Sequence, residues 1–146
     1  MAYEFRHRMR VAFADTDMAG IVHFSRFFYY MEVTEHAFLR SVGLSVHLET
    51  EGRVVSWPRG HVECTYKAPL RFEDEFDVHL LVREMKRSSI TYDFRFLLDG
   101  ENLVSEGSAT TICAAVDRAT GRMSAIAIPQ PFLECVEVAP ADVLST

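Results

Sequence analysis

Apolar and polar residues alternate loosely from residue 5 to 13, with Phe5, His7, Met9, Val11 and Phe13 set against Arg6, Arg8 and Arg10. That period of two predicts a half-buried strand. A polar, glycine-closed segment comes next, Asp15-Thr16-Asp17-Met18-Ala19-Gly20. From Phe24 the apolar spacing changes to three and four residues, through Phe24, Phe27, Phe28, Met31, Glu35, Phe38, Leu39 and Val42. This predicts an amphipathic helix with one wide apolar stripe, Ser25 placed to cap its start and Gly43 its end. A helix of about 18 residues would be roughly 27 Å long, enough to run the length of a small sheet.

A short stretch from Val46 to Glu51 is open to a helical reading, and the chain beyond it reads as strand. Val62, Cys64 and Tyr66 alternate with His61, Glu63, Thr65 and Lys67; Phe76, Val78, Leu80 and Val82 with Asp77, His79 and Arg83; Ile90, Tyr92, Phe94 and Phe96 with Thr91, Asp93 and Arg95. Asp99-Gly100 is a hairpin signal leading into Leu103 to Val116, and Arg118 to Gly121 makes a turn before Met123 to Ile128. Pro129 and Pro131 introduce a short tail with helical character. One strand, one long helix and a run of strands joined by short turns predict an α+β fold, an antiparallel sheet wrapped around a long central helix.

Length and composition narrow the function classes. The 146 residues suit a single domain, and 49% hydrophobic residues exclude a disordered chain. A net charge of −6 has the wrong sign for coating a phosphate backbone, so neither nucleic acid nor an anionic membrane is an expected partner. No run approaches the roughly 18 apolar residues of a membrane span. Met1 to Arg8 has no apolar signal core, and Cys64, Cys113 and Cys135 suggest neither a disulfide framework nor zinc; a cytoplasmic protein is expected. The six histidines are scattered without ligand spacing, so no metal and no cofactor is expected.

No nucleophile elbow, phosphate loop or dinucleotide fingerprint is present. The remaining candidate is Asp15 to Phe24, two carboxylates and His23 directly before a predicted helix start, where free N–H groups favour a developing oxyanion. By themselves, paired aspartates in this position also serve simply to cap a turn.

Phe13-Ala14-Asp15-Thr16-Asp17-Met18-Ala19-Gly20-Ile21-Val22, with the aromatic run Phe24 to Tyr30 and then Glu32 after it, resembles the signature of hotdog-fold acyl-CoA thioesterases of the 4-hydroxybenzoyl-CoA thioesterase type. The resemblance extends over roughly Phe5 to Val136. It implies a hotdog fold, hydrolysis of acyl-CoA thioesters and Asp17 as the catalytic carboxylate, acting as general base or nucleophile, with Asp15 a turn residue. It also implies that a backbone N–H at Phe24 polarises the substrate carbonyl. His23, a candidate orienting or proton-shuttling group, departs from the aromatic residue the family usually carries at its position, and some relatives carry a histidine one place later. The turn Lys86-Arg87-Ser88 aligns with a basic turn that relatives use near the coenzyme's phosphates, and Glu32 with an acidic residue that holds a substrate hydroxyl. Trp57, next to Pro58 at the start of a strand, is a further candidate for the acyl pocket, and His61 and Glu63 share one strand face. Relatives pair into homodimers and tetramers with sites at the interface.

The chemistry suits a thioester, because a thiolate with a pKa near about 8.5 departs without a dedicated acid. Two rivals use the same residues: a hotdog hydratase or dehydratase, in which His23 becomes essential, and a non-catalytic acyl-CoA binding module.

Overall fold

The computed structural model describes residues 1–50 and 52–146. The chain runs through β1 (Glu4–Arg10), a 3-10 turn at Phe13–Asp15, α1 (Arg26–Ser41), β2 (Leu48–Thr50), β3 (Arg53–Ser56), β4 (Arg59–Tyr66), β5 (Glu75–Lys86), β6 (Ser89–Leu98), β7 (Asn102–Ile112), β8 (Ala114–Asp117), β9 (Met123–Ala125), α2 (Gln130–Cys135) and α3 (Ala141–Leu144). Every strand pairing is antiparallel. The larger sheet has the order β1-β5-β6-β7-β4, and β2-β3-β8-β9 form the smaller one.

The α+β class is as expected, with adjustments that local hydrogen bonding explains. The long helix predicted from Phe24 is a shorter element of 16 residues, laid on one face of the larger sheet. It starts at Arg26 because Ser25 does not cap it; the Ser25 hydroxyl instead meets His23 Nδ1 at 2.8 Å. Gly43 closes the helix as expected, its N–H reaching the Arg40 carbonyl from a left-handed conformation. The first strand stops at Arg10 rather than Phe13, since the Val11 N–H pairs with the Asp74 carbonyl and the Asp15 carboxylate takes the Ala12 N–H at 3.0 Å. Leu48–Thr50 is a strand and not a helix, paired with β3, while Glu51 lies outside the described residues. The strand predicted from Leu103 to Val116 divides at Cys113, whose N–H turns to the Ser88 carbonyl.

Alternation decides which face of the sheet the helix covers. Phe76, Val78, Leu80 and Val82 of β5 and Ile90, Tyr92, Phe94 and Phe96 of β6 are almost wholly buried. Against them α1 lays Phe27, Tyr30, Met31 and Phe38, with rings meeting at Phe27–Phe96, Tyr30–Phe76 and Phe38–Tyr92. Helix and sheet approach closely at Gly107, where a Cβ would stand 2.3 Å from Met31 Cε and 2.6 Å from the Glu63 carbonyl. Glycine at that point lets the apolar stripe settle onto β7. Among the described residues no helix is long and apolar enough to cross a membrane.

Candidate active site

The segment between β1 and α1 is folded back on itself. Val22 N–H pairs with the Leu70 carbonyl and His23 N–H with the Asp15 carbonyl, both at 2.8 Å, and bridges join Thr16 to Val22 and Ile21 to Arg71. Gly20, at φ +81°, supplies the left-handed turn that returns the chain.

The two aspartates of the segment have different surroundings. Asp15 is buried at 4% exposure. Its carboxylate accepts from the Tyr30 hydroxyl at 2.8 Å, from Arg26 Nε at 2.8 Å and from the Ala12 N–H at 3.0 Å. Burial alone would raise its pKa, but those bonds outweigh it and hold the carboxyl below its ordinary value. Burial, with the neighbouring carboxylate second, pushes the Tyr30 phenol far up. Asp15 therefore fastens the loop to the first turns of α1.

Asp17 instead faces a cleft of about 440 Å³ shared with Phe24, Phe27, Tyr66, Lys67 and Leu70. Its Oδ1 accepts the Ala19 N–H at 2.8 Å and the Ile21 N–H at 3.4 Å, while its other oxygen has no partner among the described residues. The Phe24 N–H also has no acceptor among them, whereas the Phe24 carbonyl accepts the Tyr66 hydroxyl at 2.8 Å. The Phe24 ring is 62% exposed, at the mouth of the cleft rather than in the core. Asp17 and Phe24, the latter two residues before α1, thus line the same apolar space.

His23 stands outside that lining. Its Nδ1 accepts the Ser25 N–H at 3.3 Å and meets the Ser25 hydroxyl, and its ring lies against Phe24 at 4.5 Å. Glu32 is exposed on α1 and lines a second cleft of about 310 Å³ with Phe28, Met31, Arg59 and Val62. Trp57 lines neither, since it lies in the break between β3 and β4 with its ring 5.0 Å from that of Phe132. Lys86, Arg87 and Ser88 form the β5–β6 turn; Lys86 pairs with Glu84 at 3.3 Å and Arg87 donates to the Ser88 hydroxyl at 3.2 Å. That turn and Asp17 are at opposite ends of β5, twelve residues long, roughly 35 Å apart along the strand. His61 and Glu63 form an exposed pair at 3.4 Å on the sheet face away from α1. Within one chain the structure therefore joins Asp17 with Phe24 and leaves Glu32 and the basic turn elsewhere.

Sequence reasoning passed over Tyr66, Lys67, Arg26 and Arg59. Tyr66 had a usable signal, the last apolar position of an alternating strand with a lysine after it. Arg26 had none, because its role depends on a partner eleven residues earlier that only the folded loop brings to it.

The chain matches the family model described as "Thioesterase-like superfamily" over residues 11–139. A solved Aquifex aeolicus structure, of a hypothetical protein, is 31% identical, covers 91% of this chain and 99% of its own, and superposes with a TM-score of 0.75. The 1,4-dihydroxy-2-naphthoyl-CoA hydrolase of Prochlorococcus marinus is 30% identical over 100 residues, 64% of this chain and 67% of that one. The acyl-CoA thioesterase YbgC of Haemophilus influenzae is 25% identical over 126 residues, 86% of this chain and 89% of its own. With the family model spanning nearly its whole length, this chain belongs to the thioesterase-like superfamily.

Proposed function

We propose that this protein is a single hotdog domain that hydrolyses acyl-CoA thioesters, with Asp17 as catalytic carboxylate and the Phe24 N–H as oxyanion donor. The observation that carries the reading is that Asp17, with one carboxylate oxygen unpaired among the described residues, and Phe24, with its N–H unpaired among them, line one apolar cleft. A thioester carbonyl seated on that N–H would have its developing negative charge met by the N–H and by the positive end of α1. Asp17 then takes a proton from water as it adds to the carbonyl, or adds to the carbonyl itself and is released by water. Either way the C–S bond breaks, coenzyme A leaves as thiolate and the free acid remains. The relatives named as thioester hydrolases support this class of reaction.

The remaining candidates enter through a second copy of the chain. β4 has β7 on one side and a free edge on the other, which favours pairing with another strand. A two-fold axis through its centre, between Val62 and Glu63, would set the Arg59 end of one copy beside the Tyr66 end of the other. That arrangement brings the second copy's Glu32 cleft and its Lys86-Arg87-Ser88 turn to the end of the sheet where Asp17 stands. Glu32 then holds a hydroxyl of the acyl group, and the basic turn offsets the coenzyme's phosphates in a protein of net charge −6. The assembly is a homodimer or a pair of such dimers in the cytoplasm.

The test is release of free thiol from short, long, aromatic and hydroxyaromatic acyl-CoA substrates by wild type and Asp17→Asn, with mass measured by light scattering. Asparagine keeps an oxygen for the Ala19 N–H, so the turn persists. The expected result is turnover of at least one substrate by a dimer or larger assembly, and loss of about 10² or more in kcat in the variant. An inert wild type, an unaffected variant or an active monomer overturns the proposal. The hydratase reading draws no support from His23, whose Nδ1 is engaged by Ser25 outside the cleft.

A further inference from the structure

β4 contains a break in its own alternation. Val62 and Tyr66 face α1, Val62 lining the Glu32 cleft and Tyr66 meeting the Phe27 ring at 5.1 Å, while Glu63 and Thr65 line a cavity on the opposite face with Arg83 and Arg95. By parity Arg59 belongs with Glu63 on that opposite face. Instead the register slips between Arg59 and His61, and the slip at Gly60 turns Arg59 toward α1, as a β-bulge re-aims a side chain. There Nη1 donates to Glu35 Oε2 at 2.8 Å. The Glu35 side chain is 2% exposed and that of Arg59 26%.

One of the five guanidinium N–H groups is thereby used, and the others have no acceptor among the described residues. Arg59 lines the cleft whose walls are Phe28, Met31, Val62 and Ala109 and whose other charged member is Glu32. The cleft is thus an apolar slot with a donor and an acceptor. We infer that Arg59 is a specificity-determining residue for the acyl group, donating to an oxygen at its distal end and so favouring hydroxylated acyl groups over their plain hydrocarbon counterparts. The inference rests on the proposed acyl-CoA hydrolysis, in which this cleft meets Asp17 of the other copy.

The chemistry selects among acyl types. A hydroxyl accepts from Arg59 and donates to Glu32 at once. A carboxylate suits Arg59 but stands against Glu32, and a hydrocarbon end covers the guanidinium while pairing none of its N–H groups. Sites that hydrogen-bond a substrate hydroxyl discriminate strongly against the analogue lacking it, because their own polar groups are left unpaired. Glu35 contributes by holding the guanidinium in place. Burial pushes its carboxyl up, and Arg59, bonded to it at 2.8 Å, opposes that rise.

The test uses two non-hydrolysable coenzyme A thioethers, phenacyl and hydroxyphenacyl, with Kd measured by calorimetry. Wild type is expected to bind the hydroxylated thioether about 30-fold more tightly. Arg59→Gln alone leaves a buried carboxylate unpaired and risks misfolding, so the second variant is Glu35→Gln with Arg59→Gln, which retains a neutral hydrogen-bonding pair. In that double variant the preference should fall about 10-fold, to roughly 3-fold, since the hydroxyl keeps only Glu32 as a partner and the plain thioether no longer covers unpaired guanidinium donors. Retention of the full preference there makes Arg59 a counter-ion to Glu35 only and overturns the inference, as does equal binding of both thioethers by wild type. If wild type binds neither thioether, the acyl-CoA reading itself fails and the role of Arg59 with it.

Discussion

The guanidinium of Arg26 and the carboxylate of Asp15 meet at 2.7 Å behind the loop that presents Asp17. With the Tyr30 hydroxyl on the same carboxylate, they tie the loop to the helix that begins two residues after Phe24. The two aspartates of one short motif thus divide the work: the buried one fixes geometry, and the other keeps an oxygen free.

Removing that tie should destabilise the protein more than it alters surface chemistry. Asp15→Asn leaves Arg26 without its counter-charge and weakens the Tyr30 bond, and is expected to lower unfolding free energy by about 3 kcal/mol. Tyr30→Phe, which deletes one bond to a charged acceptor, should cost about 1.5 kcal/mol. Denaturant unfolding of the two variants beside wild type checks the order, and a smaller loss for Asp15→Asn would refute it.

The same bond sets a pH dependence with a defined sign. The Asp15 pKa is lower in the folded state than its ordinary 3.8. Between the two values the unfolded chain binds more protons, so stability rises with pH there. Its contribution is complete above the ordinary value and is lost as pH falls through the folded one. Tyr30 is shifted upward, so its contribution is complete below its ordinary 10.0 and declines as pH rises beyond it. Stability measured against pH should therefore fall less steeply on the acid limb for Asp15→Asn, and less steeply on the alkaline limb for Tyr30→Phe.

The sequence made the strands legible where burial is uniform along one face. β5 and β6 were readable because every second side chain meets α1. Legibility failed where local bonds redirect the backbone. Phe24 fits the helical period yet lies exposed at the cleft, because Ser25 binds His23 instead of capping the helix. Arg59 is misassigned by parity because of the slip at Gly60. Asp15 and Asp17 are indistinguishable as a motif, since what separates them is a bond to Arg26 and Tyr30, eleven and fifteen residues onward. Asp17 and the basic turn were both named from family resemblance, and within one chain they stand at opposite ends of β5.

Two glycines on neighbouring strands predict opposite outcomes. A Cβ at Gly107 would meet the Glu63 carbonyl at 2.6 Å as well as Met31 Cε at 2.3 Å, and the backbone contact cannot rotate away. At Gly60 the closest atom, at 2.8 Å, is Ile112 Cδ1, the far end of a flexible side chain. Gly107→Ala is expected to lose about 2 kcal/mol or more by forcing helix and sheet apart, and Gly60→Ala less than about 1 kcal/mol. Thermal unfolding of both variants checks this, and equal losses would contradict it.

Tyr66 tests whether the Phe24 turn is a working part of the site. Its hydroxyl donates to the Phe24 carbonyl across the cleft, and burial, then Cys64, pushes its phenol up to about 12, so it remains a donor at neutral pH. Tyr66→Phe keeps the ring on Phe27 and deletes that one bond, leaving the residue that carries the proposed oxyanion donor less firmly held. Because the carbonyl develops charge only in the transition state, looser placement should reduce kcat, by about 10-fold, while KM changes less than about 2-fold. Tyr66 would then be a positioning residue acting through Phe24. A rise in KM with kcat unchanged would mean instead that Tyr66 contacts substrate in the ground state, and that the Phe24 turn holds its shape without it.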